Sequence, residues 1–125
     1  MFERKNNLLI MQERRAKARV KKTLKVVQCS SQYLFERNYL SRDISEDGIC
    51  LLSPHRIEIG EEIKIGISFP ECEQPVVAVG KVMRRNETND RNFPFILGIQ
   101  FTKVSKKAYH QIRNHMRYFA LKDEE

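Results

Sequence analysis

Tryptophan is absent from this 125-residue chain, and its three cysteines, three histidines and five glycines form no recognisable metal, redox or phosphate-cradling pattern. Cys29, Cys50 and Cys72 are odd in number and lie about twenty residues apart with no Cys-x-x-Cys pair, so reduced, buried or half-buried thiols are expected rather than zinc ligands or a redox couple. His110 and His115 stand five apart, where one helix face needs three or four, and His55 follows a proline, so no metal site is expected. The longest early apolar run, "LLIM", falls far short of the roughly 18 residues of a membrane span and lacks the flanks of a signal peptide. A cytoplasmic protein is therefore expected. No glycine-rich phosphate loop and no Ser-His-Asp or Cys-His arrangement can be placed, which argues against an enzyme. Internal repeats and low-complexity tracts are missing too.

What is present is a change of period. "EIKIGISF" puts Ile63, Ile65, Ile67 and Phe69 on one face, and "FILGIQF" puts Phe95, Leu97, Ile99 and Phe101 opposite Ile96, Gly98 and Gln100. Alternation of this kind marks half-buried antiparallel strands. "TLKVVQCS", "NYLSRDI", "GICLLS" and "VVAVGKVMRR" are weaker strands between turn-rich pieces, which makes about six strands and a small barrel or sandwich. From Ser105, a plausible N-cap, the apolar residues Ala108, Ile112, Met116 and Phe119 recur every three or four positions. This predicts a C-terminal amphipathic helix that covers one open side or end of its own barrel.

Charge is distributed unevenly. Residues 1–25 hold nine Lys or Arg against two Asp or Glu, while the remaining hundred carry fourteen of each sign, so the net +7 belongs to an N-terminal arm. Such an arm suits an anionic partner (a nucleotide, a nucleic acid or a phospholipid surface) or else a solvated tail.

Two short stretches carry chemistry. In "ERRAKARV", Arg15 and Arg19 stand four apart, preceded by Arg14. A guanidinium fork matches phosphate oxygens bidentately, and also the O6 and N7 edge of guanine. In "DISEDG", a regular strand would turn Asp43 and Ser45 to one side and Ile44 to the other. The Asp43 carboxylate can then accept from guanine N1 and N2 or hold an arginine, while Gly48 reverses the chain through a positive φ or a close ligand approach. Taken alone, the stretch also reads as an ordinary hairpin.

Arg-x-x-x-Arg followed about two dozen residues later by Asp-x-Ser-x-x-Gly, on a small β-protein that ends in a helix, resembles the PilZ domain family of bacterial cyclic di-GMP receptors. The resemblance runs from Glu13 to the C-terminal helix. It implies a mainly β fold, a six-stranded antiparallel barrel with a C-terminal helix, which takes the dinucleotide on its outer surface. The expected organisation is a basic arm over 1–23, a barrel over 24–103, and a helix over 104–125 packed on the barrel. By the same resemblance Arg15 and Arg19 clasp phosphates and guanine edges, Asp43 and Ser45 meet a guanine, Gly48 shapes the turn, and Gly98 leaves room for the ligand. The family often has an aromatic residue near Arg84, whose guanidinium plane would stack on a guanine instead. The resemblance further implies that Arg14, directly before the first motif arginine, goes with an intercalated ligand dimer, and ordering of the arm would be the signal to a downstream protein that the sequence does not name.

Two other functions fit a basic arm on a small barrel. A single-stranded nucleic-acid binder relies on stacking aromatics along a strand face, whereas Phe69, Phe95 and Phe101 sit on the apolar face here. A PilZ-like adaptor that binds only proteins has no need of intact motifs. No cofactor beyond the cyclic di-GMP ligand is expected.

Overall fold

The computed structural model describes residues 23–29 and 37–124, with the side chains of 37 and 119–124 left aside. Arg14, Arg15, Arg19 and the Phe119 side chain therefore lie outside the described residues. Six strands, β1 (Lys25–Gln28), β2 (Arg37–Ile44), β3 (Gly48–Ser53), β4 (Glu62–Ser68), β5 (Val76–Glu87) and β6 (Phe95–Lys103), precede one helix, α1 (Lys106–Glu124). All strand pairs are antiparallel, and the order β1-β2-β3-β6-β5-β4 closes on itself as a barrel. Closure leaves no open edge among these strands.

The alternation read from the sequence becomes the core. Ile63, Ile65, Ile67 and Phe69 are buried, as are Leu97 and Ile99, while Phe95 and Phe101 pack at the margin of the same cluster. Ser105 caps α1: its Oγ accepts the Ala108 amide at 3.0 Å, the usual bond from an N-cap to the third helical residue. Ala108, Ile112 and Met116 then enter the barrel core.

The helix lies over the barrel end at which β2, β4 and β6 finish. His115, also on the buried stripe, stacks against Phe69 at 4.3 Å between ring centroids, and its Nδ1 lies 2.5 Å from Glu71 Oε1 in the β4–β5 connection. At the β2–β3 turn, Tyr109 donates its hydroxyl to Glu46 Oε2 at 3.3 Å, and Arg113 Nε lies 3.6 Å from Glu46 Oε1.

Cys29, Cys50 and Cys72 are free thiols, buried or half-buried as expected. Burial, with the charge of Glu71 beside it, pushes the Cys72 thiol up, which keeps it protonated. Among the described residues no three His, Cys, Asp or Glu gather as a metal cluster, and no helix is long and apolar enough to cross a membrane.

Candidate functional site

Strand β2 does not alternate to its end. It pairs with β3 as Leu40 with Leu52 and Ser41 with Leu51, then resumes as Asp43 with Cys50 and Ile44 with Ile49, so Arg42 is an extra residue in a bulge. Tyr39 and Ser41 are buried, and a regular strand would have carried Asp43 inward after them. Arg42 keeps the outward place that alternation gives it, and the bulge turns Asp43 outward beside it and returns Ile44 to the core. A second bulge on β5, at Met83, acts in the same way: Val82 pairs with Ile99 inside, and Arg84 pairs with Gly98 outside.

Together the two bulges align one row across four adjacent strands. Asp43 pairs with Cys50, Cys50 with Gly98, and Gly98 with Arg84. The row has small residues at its centre and charged ones at its ends, which leaves an outward depression of about 280 Å³ lined by Arg42, Asp43, Cys50, Arg84, Asn86, Ile96 and Gly98. Cys50 forms its floor and is 7% exposed. Arg84 lies across Gly98, where a Cβ would come within 3.0 Å of its Nε.

Among the described residues neither Arg42 nor Arg84 is held in an ion pair. Arg85, the next residue, differs: its Nη1 donates to the Ile57 carbonyl and to Glu58 Oε2, both at 3.1 Å. A surface guanidinium without an internal partner can bind an anion or stack on a base at no cost in broken bonds.

The turn below this row departs from expectation. Ser45 lies beyond the end of β2, is 1% exposed, and does not line the depression with Asp43. Its amide donates to the Gly48 carbonyl at 2.9 Å, and its Oγ accepts the Asp47 amide at 3.3 Å, so it closes the turn. Gly48 does not have a positive φ; among the described residues only Gly60 does, at 93°. Glycine is required at 48 because β6 passes so close that a Cβ would collide with the Ile99 carbonyl oxygen. The close approach is the protein's own backbone.

Of the expected site residues, the structure thus brings together Asp43, Arg84 and Gly98, and sets Ser45 and Gly48 in the supporting turn. It adds Arg42, Cys50, Asn86 and Ile96. Alternation already put Ile96 on the outer face and extends to Cys50 and Asn86, two positions from Gly48 and Arg84. Arg42 was hidden in a different way: with Asp43 read as outward, alternation sets its neighbour on the opposite face, and only the bulge lets both point out.

Thr23 and Leu24 lead into β1 beside this depression. The Leu24 amide donates to Ser41 Oγ at 2.8 Å and the Ser41 amide to the Leu24 carbonyl at 2.9 Å, so the chain enters β1 alongside the β2 bulge.

The PilZ domain family matches residues 13–118. Among solved structures the chain is similar to the Bacillus subtilis inhibitor of motility MotI/DgrA, at 17% identity and a TM-score of 0.72 over 86% of this chain and 51% of that one. It is also similar to the PilZ domain with c-di-GMP of Escherichia coli YcgR, at 15% and 0.63 over 86% and 90%. A third likeness is to Borreliella burgdorferi PlzA in complex with c-di-GMP, at 15% and 0.58 over 90% and 45%. Identities this low establish the fold alone, and the chain spans about half the length of the Bacillus protein. Among curated proteins none matches. With a family match that takes in the Arg-x-x-x-Arg and Asp-x-Ser-x-x-Gly stretches and the closed barrel between them and the helix, this chain belongs to the PilZ domain family.

Proposed function

We propose that the protein is a receptor for cyclic di-GMP, bound on the barrel exterior in the depression between β2 and β5. The observation that carries this reading is the Asp43–Cys50–Gly98–Arg84 row: an acceptor for guanine N1 and N2 at one end, a guanidinium in no ion pair among the described residues at the other, and a floor of small residues between. Family membership supports it, as do the c-di-GMP complexes of the similar YcgR and PlzA structures. Ser45 and Gly48 act by fixing the turn that follows Asp43, and Gly98 by leaving room beneath Arg84.

Arg15 and Arg19 close over the phosphates from the arm. Arg19 is five residues before Leu24, and an extended chain spans at most about 3.6 Å per residue, so it reaches about 18 Å from the anchor at Ser41. From Leu24, at the head of β1, the Asp43 end of the depression is about one strand spacing away, about 5 Å, and lies well within that radius. Arg14, directly before the motif, favours two stacked ligands per domain. Four or five charge-assisted hydrogen bonds at about 1.5 to 3 kcal/mol each are offset by about 5 to 10 kcal/mol for ordering five arm residues, which keeps the affinity well short of picomolar. A reversible sensor needs such an offset. The arm folding across the barrel changes the surface shown to a downstream protein.

Among the described residues none that lines the depression is aromatic, which disfavours the single-stranded nucleic-acid reading. Titration calorimetry with cyclic di-GMP on the wild type, Arg19→Ala and Asp43→Ala tests the proposal. Saturable binding weakened at least tenfold by either change is expected, with linear guanine dinucleotides of equal charge ignored. A flat wild-type isotherm discards the receptor and leaves the protein-only adaptor.

A further inference from the structure

We propose that Arg42 reads the guanine base: its guanidinium bonds the O6 and N7 edge of the same base whose N1 and N2 donors Asp43 accepts. This rests on the cyclic di-GMP reading above and goes beyond it, naming a residue that separates guanine from other bases.

The argument begins with the bulge. In a regular strand two consecutive side chains point to opposite faces, so an arginine next to an aspartate cannot share a ligand with it. Here the register shift between Ser41 and Asp43 lets both point outward, and both line one depression. Their Cα atoms are about 3.8 Å apart, as in any trans pair, so the two side chains leave the strand side by side.

Guanine suits that juxtaposition. N1–H and the N2 amino group form a donor pair, and next to them O6 and N7 form an acceptor pair. A carboxylate beside a guanidinium presents the complementary order, acceptors and then a fork of donors. Adenine breaks both matches, because it carries an amino donor in place of O6 and no N1–H. Arg84 cannot fill this role for the base at Asp43, since it stands three strand spacings away, about 14 Å at the backbone. It is left to serve a second base or a phosphate.

Arg42 is also available for the task. Its side chain is exposed, and it is held in no ion pair among the described residues. The competing explanations are that Arg15 or Arg19 takes this edge, in which case Arg42→Ala still tells N7 from C–H, and a diffuse contribution of positive charge from Arg42 with no base contact. The last differs from a base contact in what lysine can replace, since lysine keeps the charge and loses the fork.

The test uses calorimetric affinities of wild type, Arg42→Ala and Arg42→Lys for cyclic di-GMP and for its 7-deazaguanine analogue, in which N7 is a C–H and the charge is unchanged. Wild type is expected to bind the analogue several-fold more weakly. Arg42→Ala is expected to lose about tenfold on cyclic di-GMP and to treat the two ligands alike, with Arg42→Lys behaving nearly the same. Full affinity in Arg42→Lys, an Arg42→Ala that is unchanged or still tells N7 from C–H, or a wild type indifferent to N7 overturns the base contact while the receptor reading stands. A wild type that takes up neither ligand removes the receptor reading, and this inference goes with it.

Discussion

Asp43 and Arg84 stand at opposite ends of a single cross-strand row, joined through Cys50 and Gly98 by three successive antiparallel pairings. Neither strand would put them there by strict alternation. Each depends on one extra residue, Arg42 on β2 and Met83 on β5, and the two bulges act on one face of the barrel. The candidate site is thus a property of register as much as of residue choice.

The two glycines on this side of the barrel are expected to behave oppositely when replaced. At Gly48 a Cβ collides with the Ile99 carbonyl, a backbone atom that moves only with β6, so Gly48→Ala should cost about 2 kcal/mol, close to 8 °C in Tm. At Gly98 the nearest atom is the end of the Arg84 side chain at 3.0 Å, which can swing away. Gly98→Ala should therefore leave Tm almost unchanged while disturbing Arg84 and weakening cyclic di-GMP. Thermal melts of both variants check this, and equal destabilisation would contradict the packing described.

The barrel was legible because its signal is periodic: Ile63, Ile65 and Ile67 can satisfy burial in only one register. The helix was legible for the same reason, with Ser105 as its cap and Ala108, Ile112 and Met116 as its stripe. What the sequence hid was where the period breaks. Nothing in "NYLSRDI" marks Arg42 as an extra residue, since a bulge follows from how β2 meets β3 and not from local propensity. Strict alternation carried on to Ser45 therefore set its hydroxyl beside Asp43, whereas the strand has already ended and the hydroxyl serves the turn. Glycine at 48 was recognised as a requirement, but its cause, the nearness of β6, is a tertiary fact.

Ser45→Ala removes the acceptor for the Asp47 amide from a buried turn, and a cost of about 1 to 2 kcal/mol in chemical denaturation is expected with an unchanged m-value. Ligand affinity should fall as well, through displacement of Asp43. A variant with full stability and no binding would instead place the hydroxyl on the ligand.

Below the usual carboxylate range, Glu58 should reveal its partners. The hydrogen bond from Arg85, with the charges of Arg56 and Arg85, holds its pKa below the ordinary 4.5. A carboxyl lowered in the folded state contributes stability above its ordinary value and loses it as pH falls through the lowered one. In an NMR titration the Glu58 carboxyl midpoint should lie below 4.5 in the wild type and move up towards it in Arg85→Met. A midpoint indifferent to that change would assign the shift elsewhere. Because Glu58 is exposed, the effect on acid unfolding should be small.

Arg84 offers the sharpest test of what this face of the barrel does, because charge and planarity make opposite demands of its replacements. If its guanidinium stacks on a guanine across Gly98, Arg84→Trp keeps the flat surface, loses the charge, and should bind cyclic di-GMP as well as the wild type or better. Arg84→Lys keeps the charge and loses the plane, and should bind several-fold more weakly. Arg84→Ala loses both, with a deficit of about tenfold or more, since base stacking is worth about 1 to 3 kcal/mol. If Arg84 instead holds a phosphate, the order reverses: lysine is tolerated, tryptophan is not, and the loss on substitution shrinks as salt is raised. The exposed position of Arg84 and the absence of an ion pair among the described residues mean that all three variants should fold. Affinities at two salt concentrations then decide between stacking and phosphate binding.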